Sequence, residues 1–146
     1  AEGEKIFVIL GDNIVQDNVG EHVRDFINQP KGAKIFLKEV PDPERFGVAE
    51  IKDNKIVSIE EKPQNPKSNY AVCGLYMYDN EVFDIVRKIK PSDRGELEIT
   101  DVNNEYIKRN SMTYSILKGW WTDAGTFQSL YRASRLVAKD LGENNI

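Results

Sequence analysis

Two alternating runs, residues 48–52 and 55–60, meet at the dipeptide Asp53-Asn54. Aspartate and asparagine both tolerate positive φ, so a two-residue connection of this kind closes a tight hairpin. A hairpin imposes antiparallel pairing on whatever sheet it joins. Elsewhere in the chain strand-like and helix-like segments alternate, the pattern of an α/β fold. The two signals together imply a Rossmann-like mixed β-sheet with flanking helices and an added β-hairpin.

The remaining elements follow from periodicity and stop signals. Residues 5–10 (Lys-Ile-Phe-Val-Ile-Leu) form an almost continuous apolar run. Such a run predicts a strand buried on both faces inside a parallel sheet. A strand so placed needs neighbours on both sides, and none precedes it, so an N-terminal portion is expected to be missing from these residues. Gly11-Asp12-Asn13 then opens a polar loop. A helix is expected over 19–28, with Val23, Phe26 and Ile27 inward and the sole histidine, His22, on its solvated face. Strands are expected over 33–40 and 70–78. A helix capped by Asp79 or Asn80 should run to about 89, turning Val82, Phe83, Ile85 and Val86 inward, before Pro91 stops it. A further helix over 98–108, a strand over 112–117 and a loop over 120–125 follow. Thr126 should cap a last helix reaching about 141, with Leu130, Ala133, Leu136 and Val137 on one stripe.

Composition narrows the function. The 146 residues suit one domain (1–146), and the formal net charge of −4 argues against nucleic acid as a main partner. No apolar run approaches the length of a membrane span. Cys73 is the only cysteine, so no internal disulfide can form and a reducing cytoplasm is the expected setting. With one histidine and one cysteine the chain can build neither a zinc cluster nor a Ser/His/Asp apparatus without His22, which has no catalytic partner in view.

The chemistry-bearing residues are charged groups at strand exits. Ile59-Glu60-Glu61-Lys62-Pro63 ends the hairpin: a carboxylate that can accept from hydroxyls stands beside an ammonium that can neutralise phosphate, at an exit stiffened by proline. Charges at a strand end are also ordinary solvated residues. Asp12 and Asp123 each follow a strand, where open α/β sheets bind ligands. Two carboxylates with room for phosphate and water suit Mg²⁺, and turn or capping roles suit aspartate equally. Arg94, between two helices, offers a planar fork for phosphate or a surface ion pair with Asp93 or Glu96. Tyr76 and Cys73 lie within a strand, where burial is the ordinary outcome.

Six segments occur in a telling order: Leu10-Gly11-Asp12-Asn13, the run 42–48 (Asp-Pro-Glu-Arg-Phe-Gly-Val), the run 59–63, the run 68–76, the run 94–101 (Arg-Gly-Glu-Leu-Glu-Ile-Thr-Asp) and the run 121–126 (Trp-Thr-Asp-Ala-Gly-Thr). The set resembles the sugar-1-phosphate nucleotidyltransferases over nearly the whole chain, and the second and fifth segments resemble the thymidylyl branch. The resemblance implies transfer of a thymidylyl group from dTTP to glucose 1-phosphate, giving dTDP-glucose for the dTDP-rhamnose pathway, with Mg²⁺ as cofactor and commonly a homotetrameric assembly. It implies Asp12 and Asp123 as metal ligands, Glu61 on sugar hydroxyls, and Lys62 and Arg94 as catalytic cations on the phosphates. It places Gly47 and Val72 where backbone approaches the hexose, and Tyr76 near the sugar phosphate.

The family also carries a glycine-rich loop followed by an arginine and a lysine, which cradles the triphosphate. No such loop exists among the ten scattered glycines here. The chain is therefore expected to be the sugar-phosphate and metal side of such an enzyme, inactive or nearly so by itself. A stand-alone sugar-phosphate-binding or regulatory module and a uridylyltransferase for the same sugar are the alternatives.

Overall fold

The computed structural model describes residues 3–92 and 95–142. Eight strands and four α-helices follow in order: β1 (Ile6–Ile9), β2 (Asn13–Val15), α1 (Gly20–Asn28), β3 (Ala33–Glu39), β4 (Gly47–Lys52), β5 (Lys55–Glu61), β6 (Tyr70–Tyr78), α2 (Val82–Val86), α3 (Ile99–Lys108), β7 (Met112–Ile116), β8 (Trp121–Asp123) and α4 (Phe127–Asp140). The main sheet runs β5-β4-β6-β3-β7, with β1 paired to β6, and β2 and β8 form a separate two-stranded ribbon. Among the described residues only β3 and β7 pair in parallel, Ala33 opposite Met112. The mixed α/β architecture read from the sequence is the one observed.

The hairpin forms as its residues dictate: Asp53 and Asn54 take φ of 49° and 58°, the left-handed pair that a two-residue turn requires. Nine-residue β6 organises the rest. Its side chains alternate between two cores, as the two-residue period of a strand demands. Tyr76 and Tyr78 face a cluster with Ile35, Leu37, Val102 and Tyr106, under α2 and α3. Cys73, Leu75 and Met77 face Phe26, Phe36 and Leu117, under α1. Burial of Phe26 alone is worth about 2–3 kcal/mol and is the main anchor of α1. Asn104 of α3 donates to and accepts from the backbone of Ile59, at 2.8 and 3.0 Å, so it satisfies the outer edge of β5 as a neighbouring strand would. No helix among the described residues is long and apolar enough to cross a membrane.

Several expectations are corrected. β1 is half-buried rather than enclosed in a parallel sheet: it runs antiparallel to β6, Ile6 opposite Tyr78, and has no partner on its other edge among the described residues. The two stretches expected as loops contain β2 and β8, which pair Asn13 with Asp123 and Val15 with Trp121. The helix after Asp79 is only five residues long and leaves Val86 exposed. Ile27 also faces outward, since α1 is anchored by Phe26, and so do Leu130 and Val137, because α4 packs through its small residues Ser129, Ala133 and Ala138. His22 is not solvated: its Nδ1 lies 3.2 Å from the Ser115 hydroxyl and its ring stands edge-on to Phe36 at 5.4 Å.

Candidate active site

The β2–β8 ribbon brings together two carboxylates that are 111 positions apart in sequence. Asn13 pairs with Asp123 across the ribbon, and the Ala124 amide donates to the Asp12 carbonyl at 2.7 Å. Both carboxylates then look onto Gly125. A Cβ placed there would lie 3.0 Å from Asp12 Oδ2 and 3.9 Å from Asp123 Oδ2. The ribbon is closed at its far end by Asp17, whose two carboxylate oxygens accept from the Lys118 and Gly119 amides at 2.7 Å each.

Asn13 ties this ribbon to the main sheet. Its Oδ1 accepts from the Gly74 amide and from the Trp121 indole, both at 2.8 Å, while its Nδ2 donates to Asp12 Oδ1 at 2.9 Å. The approach is close enough that Gly74 has no space for a Cβ, which would meet Asn13 Nδ2 at 2.4 Å.

The hairpin supplies the opposite wall. Glu61 ends β5, and its Oε2 accepts from the Thr100 hydroxyl at 2.8 Å, which fixes the carboxylate from the first turn of α3. Gly47, opposite Glu61 in the hairpin, leaves the space before that carboxylate open; a Cβ would reach Oε2 at 3.3 Å. Lys62 takes a left-handed backbone, φ 44°, with its amide donating to the Phe46 carbonyl at 3.0 Å. A non-glycine residue held so is strained. Its ammonium has no carboxylate within ion-pair distance among the described residues, so it is available to an anion.

These groups surround one cleft of about 340 Å³. Asp12, Gly47, Glu61, Lys62, Val72, Tyr76 and Asp123 all line it, seven of the eight residues singled out in the sequence. The eighth, Arg94, lies outside the described residues. Tyr76 is both core and cleft: it is 4% exposed, stacks on Tyr78 at 6.1 Å, and has its phenol pushed above the ordinary range by burial and by the nearby Glu61. Larger clefts exist among the described residues, and of three of them, one of about 570 Å³ along β5 and α3, one beside Met112 and one beside Trp120, none holds more than one of these residues.

Nine residues of the cleft were not singled out in the sequence, and six of these carry polar or aromatic side chains. Arg45 pairs with Asp42 at 2.8 Å and approaches Asp123 at 3.7 Å; the hydrogen bond to Asp42 is the main cause that raises its pKa. Its guanidinium lies over Phe46 at 5.1 Å, and Phe46 packs against Trp121 at 5.0 Å. Asn13, Thr100 and Asn103 complete the set. Thr100 and Asn103 stood three apart on a predicted helix, beside the apolar Val102 and Tyr106, and that polar pair on an inward face was the legible signal.

Among the described residues no group of three or more His, Cys, Asp or Glu could hold a metal ion. The pair Asp12 and Asp123 fits a cation that takes only one or two carboxylates from protein and the rest from water or phosphate, as Mg²⁺ does.

Residues 1–140 match the family described as Nucleotidyl transferase. Among curated relatives, glucose-1-phosphate thymidylyltransferase of Neisseria meningitidis is 44% identical over 138 residues, which is 92% of this chain and 48% of that protein. The Mycolicibacterium smegmatis protein of the same description is 47% identical, with the same two shares. A crystal structure from Bacillus anthracis, assigned to the same activity and solved with a sucrose, superposes with a TM-score of 0.87 at 53% identity, over 98% of this chain and 56% of that one. The chain spans about half the length of the curated relatives it matches.

Proposed function

From a chain that belongs to the nucleotidyl transferase family, we propose the sugar-phosphate side of a site that transfers a thymidylyl group from dTTP to glucose 1-phosphate. The products are dTDP-glucose and pyrophosphate. The observation that carries this reading is the convergence of Asp12, Glu61, Lys62 and Asp123, from both sheets, on one cleft.

The chemistry needs little from the protein beyond placement and charge. A phosphate oxygen of glucose 1-phosphate attacks the α-phosphorus of dTTP, a new P–O bond forms, and the bond to pyrophosphate breaks. The attacking phosphate is already ionised near neutrality, so no general base is required. This suits a cleft without histidine. The obstacle is repulsion between two anions, and Lys62 with Arg94 offsets it by holding the phosphates in line. Glu61 takes hexose hydroxyls, Gly47 and Val72 admit the ring against backbone, and Tyr76 walls the side toward the sugar phosphate. Asp12 and Asp123 would hold Mg²⁺, which supplies further charge neutralisation when bound. Buried, unpaired Cys73 accords with a reducing cytoplasm.

Calorimetric titration tests the reading. Glucose 1-phosphate is expected to bind, and Glu61→Gln to weaken it about tenfold or more, the scale of a charge-assisted hydrogen bond. An unchanged affinity would remove Glu61 from the sugar site, and no binding at all would remove the function. Pyrophosphate release from dTTP by these 146 residues is expected to be slight, since they contain no triphosphate-cradling glycine-rich loop. Faster release with UTP would favour uridylyl transfer instead.

A further inference from the structure

Asn103 lies on α3 one turn after Thr100 and lines the cleft, yet the residue is 1% exposed. Its Oδ1 accepts from the Tyr78 hydroxyl at 2.7 Å, deep in the core. That bond fixes the orientation of the amide. Tyr78 is itself held by stacking between Tyr76 at 6.1 Å and Tyr106 at 5.6 Å, and Tyr106 donates to the buried Asp79 carboxylate at 2.7 Å. The other half of the amide, Nδ2, donates to nothing among the described residues. No wholly buried side-chain nitrogen or oxygen there lacks a partner, so Nδ2 must reach open space, and the cleft is the space this residue lines.

A buried amide with one end tied and the other presented to a cavity is the arrangement that reads a ligand. An unmet donor in such a place costs free energy that a ligand oxygen recovers. Glu61 and the Thr100 oxygen can only accept from a neutral ligand, because the Thr100 proton is already given to Glu61. Nδ2 can only donate. We propose that Asn103 is a specificity-determining residue that donates to a single hydroxyl oxygen of the bound hexose, so that this hydroxyl is read both as a donor, by the acceptors beside it, and as an acceptor. The assignment rests on the sugar-phosphate reading of the cleft and deepens it. A hydroxyl passes this double test, whereas a hydrogen in its place leaves Nδ2 unmet, and a site built so rejects the deoxy analogue strongly.

The test is a set of affinities for glucose 1-phosphate and its 2-, 3-, 4- and 6-deoxy analogues. Wild type is compared with two variants. Asn103→Asp keeps an acceptor for the Tyr78 hydroxyl but presents no donor. The double variant Tyr78→Phe with Asn103→Leu removes both partners of the core bond, so that no group is left unmet and the fold survives. Both variants should bind glucose 1-phosphate about tenfold more weakly than wild type. That loss should vanish for one deoxy analogue and persist for the other three. An equal loss across all five ligands, or no loss, would overturn the assignment and leave the sugar-phosphate reading intact. Wild type that binds none of the five would overturn that reading itself, and the assignment with it.

Discussion

Asn13 satisfies three partners with one amide: the Gly74 amide, the Trp121 indole and Asp12. Gly74 is what makes that possible, because a Cβ there would occupy the position of the amide. Gly74→Ala is expected to cost about 1–3 kcal/mol, the range for overpacking a fitted site, measured by urea denaturation. The loss should be well below additive when combined with Asn13→Ala, since both changes break the same clasp. Additive losses would mean that Gly74 serves some other contact. Lys62 is a second residue under local constraint, left-handed at φ 44° just before Pro63. Its charge was readable in the sequence beside Glu61, whereas its backbone was not, because lysine carries no signal for positive φ. The inward position of Asn103 was legible on a predicted helix, but the engaged end of its amide was not, because only the register of α3 against Tyr78 reveals it.

The elements that sequence reading recovered are those long enough to show a period. The hairpin strands alternate, β3 and β6 are strands of seven and nine residues built on apolar runs, and α1, α3 and α4 show one inward face. β2 and β8 have three residues each, too few for any pattern, and they exist because they pair with each other across most of the chain. Pro91 set the limit for α2, but the helix stops earlier, where the Lys88 amide takes a three-residue step to the Ile85 carbonyl at 2.9 Å. The hairpin carries an acid-sensitive brace. Glu50 is held at about 2 instead of 4.5, chiefly by the Lys52 ammonium at 2.7 Å, then by Ser58 and Lys67. A depressed carboxylate stabilises the fold above its unfolded pKa and loses that contribution as pH falls through the folded one. The urea midpoint should therefore drop between pH 4.5 and pH 2 more steeply in wild type than in Glu50→Gln; equal slopes would discard the brace. On α4, Thr126 and Ser129 form a reciprocal capping box, so Thr126→Ala should cost about 1 kcal/mol by the same measurement.

Across the molecule the apolar surface is unevenly spent. Two cores fill both faces of the main sheet, while α4 turns Phe127 (94% exposed), Leu130, Tyr131 and Leu141 (72%) outward. Large apolar side chains this exposed are uncommon on a protein surface in such number, and together they offer a site for a hydrophobic dye. That site should raise the fluorescence of 1-anilinonaphthalene-8-sulfonate, and Phe127→Ser with Leu141→Ser should abolish most of that rise; an unaltered signal would place the dye elsewhere. The cleft draws on the whole chain in a similar way. The indole of Trp121 reaches an amide 108 positions earlier, and that ribbon is what sets Asp12 beside Asp123. A contact spanning so much chain carries a large closure entropy and forms slowly. The hairpin, joined by two residues, can close within microseconds. In stopped-flow refolding, far-ultraviolet ellipticity should thus recover ahead of the indole emission. That order makes the carboxylate pair a late arrival: the hairpin stands before the ribbon has set Asp12 beside Asp123.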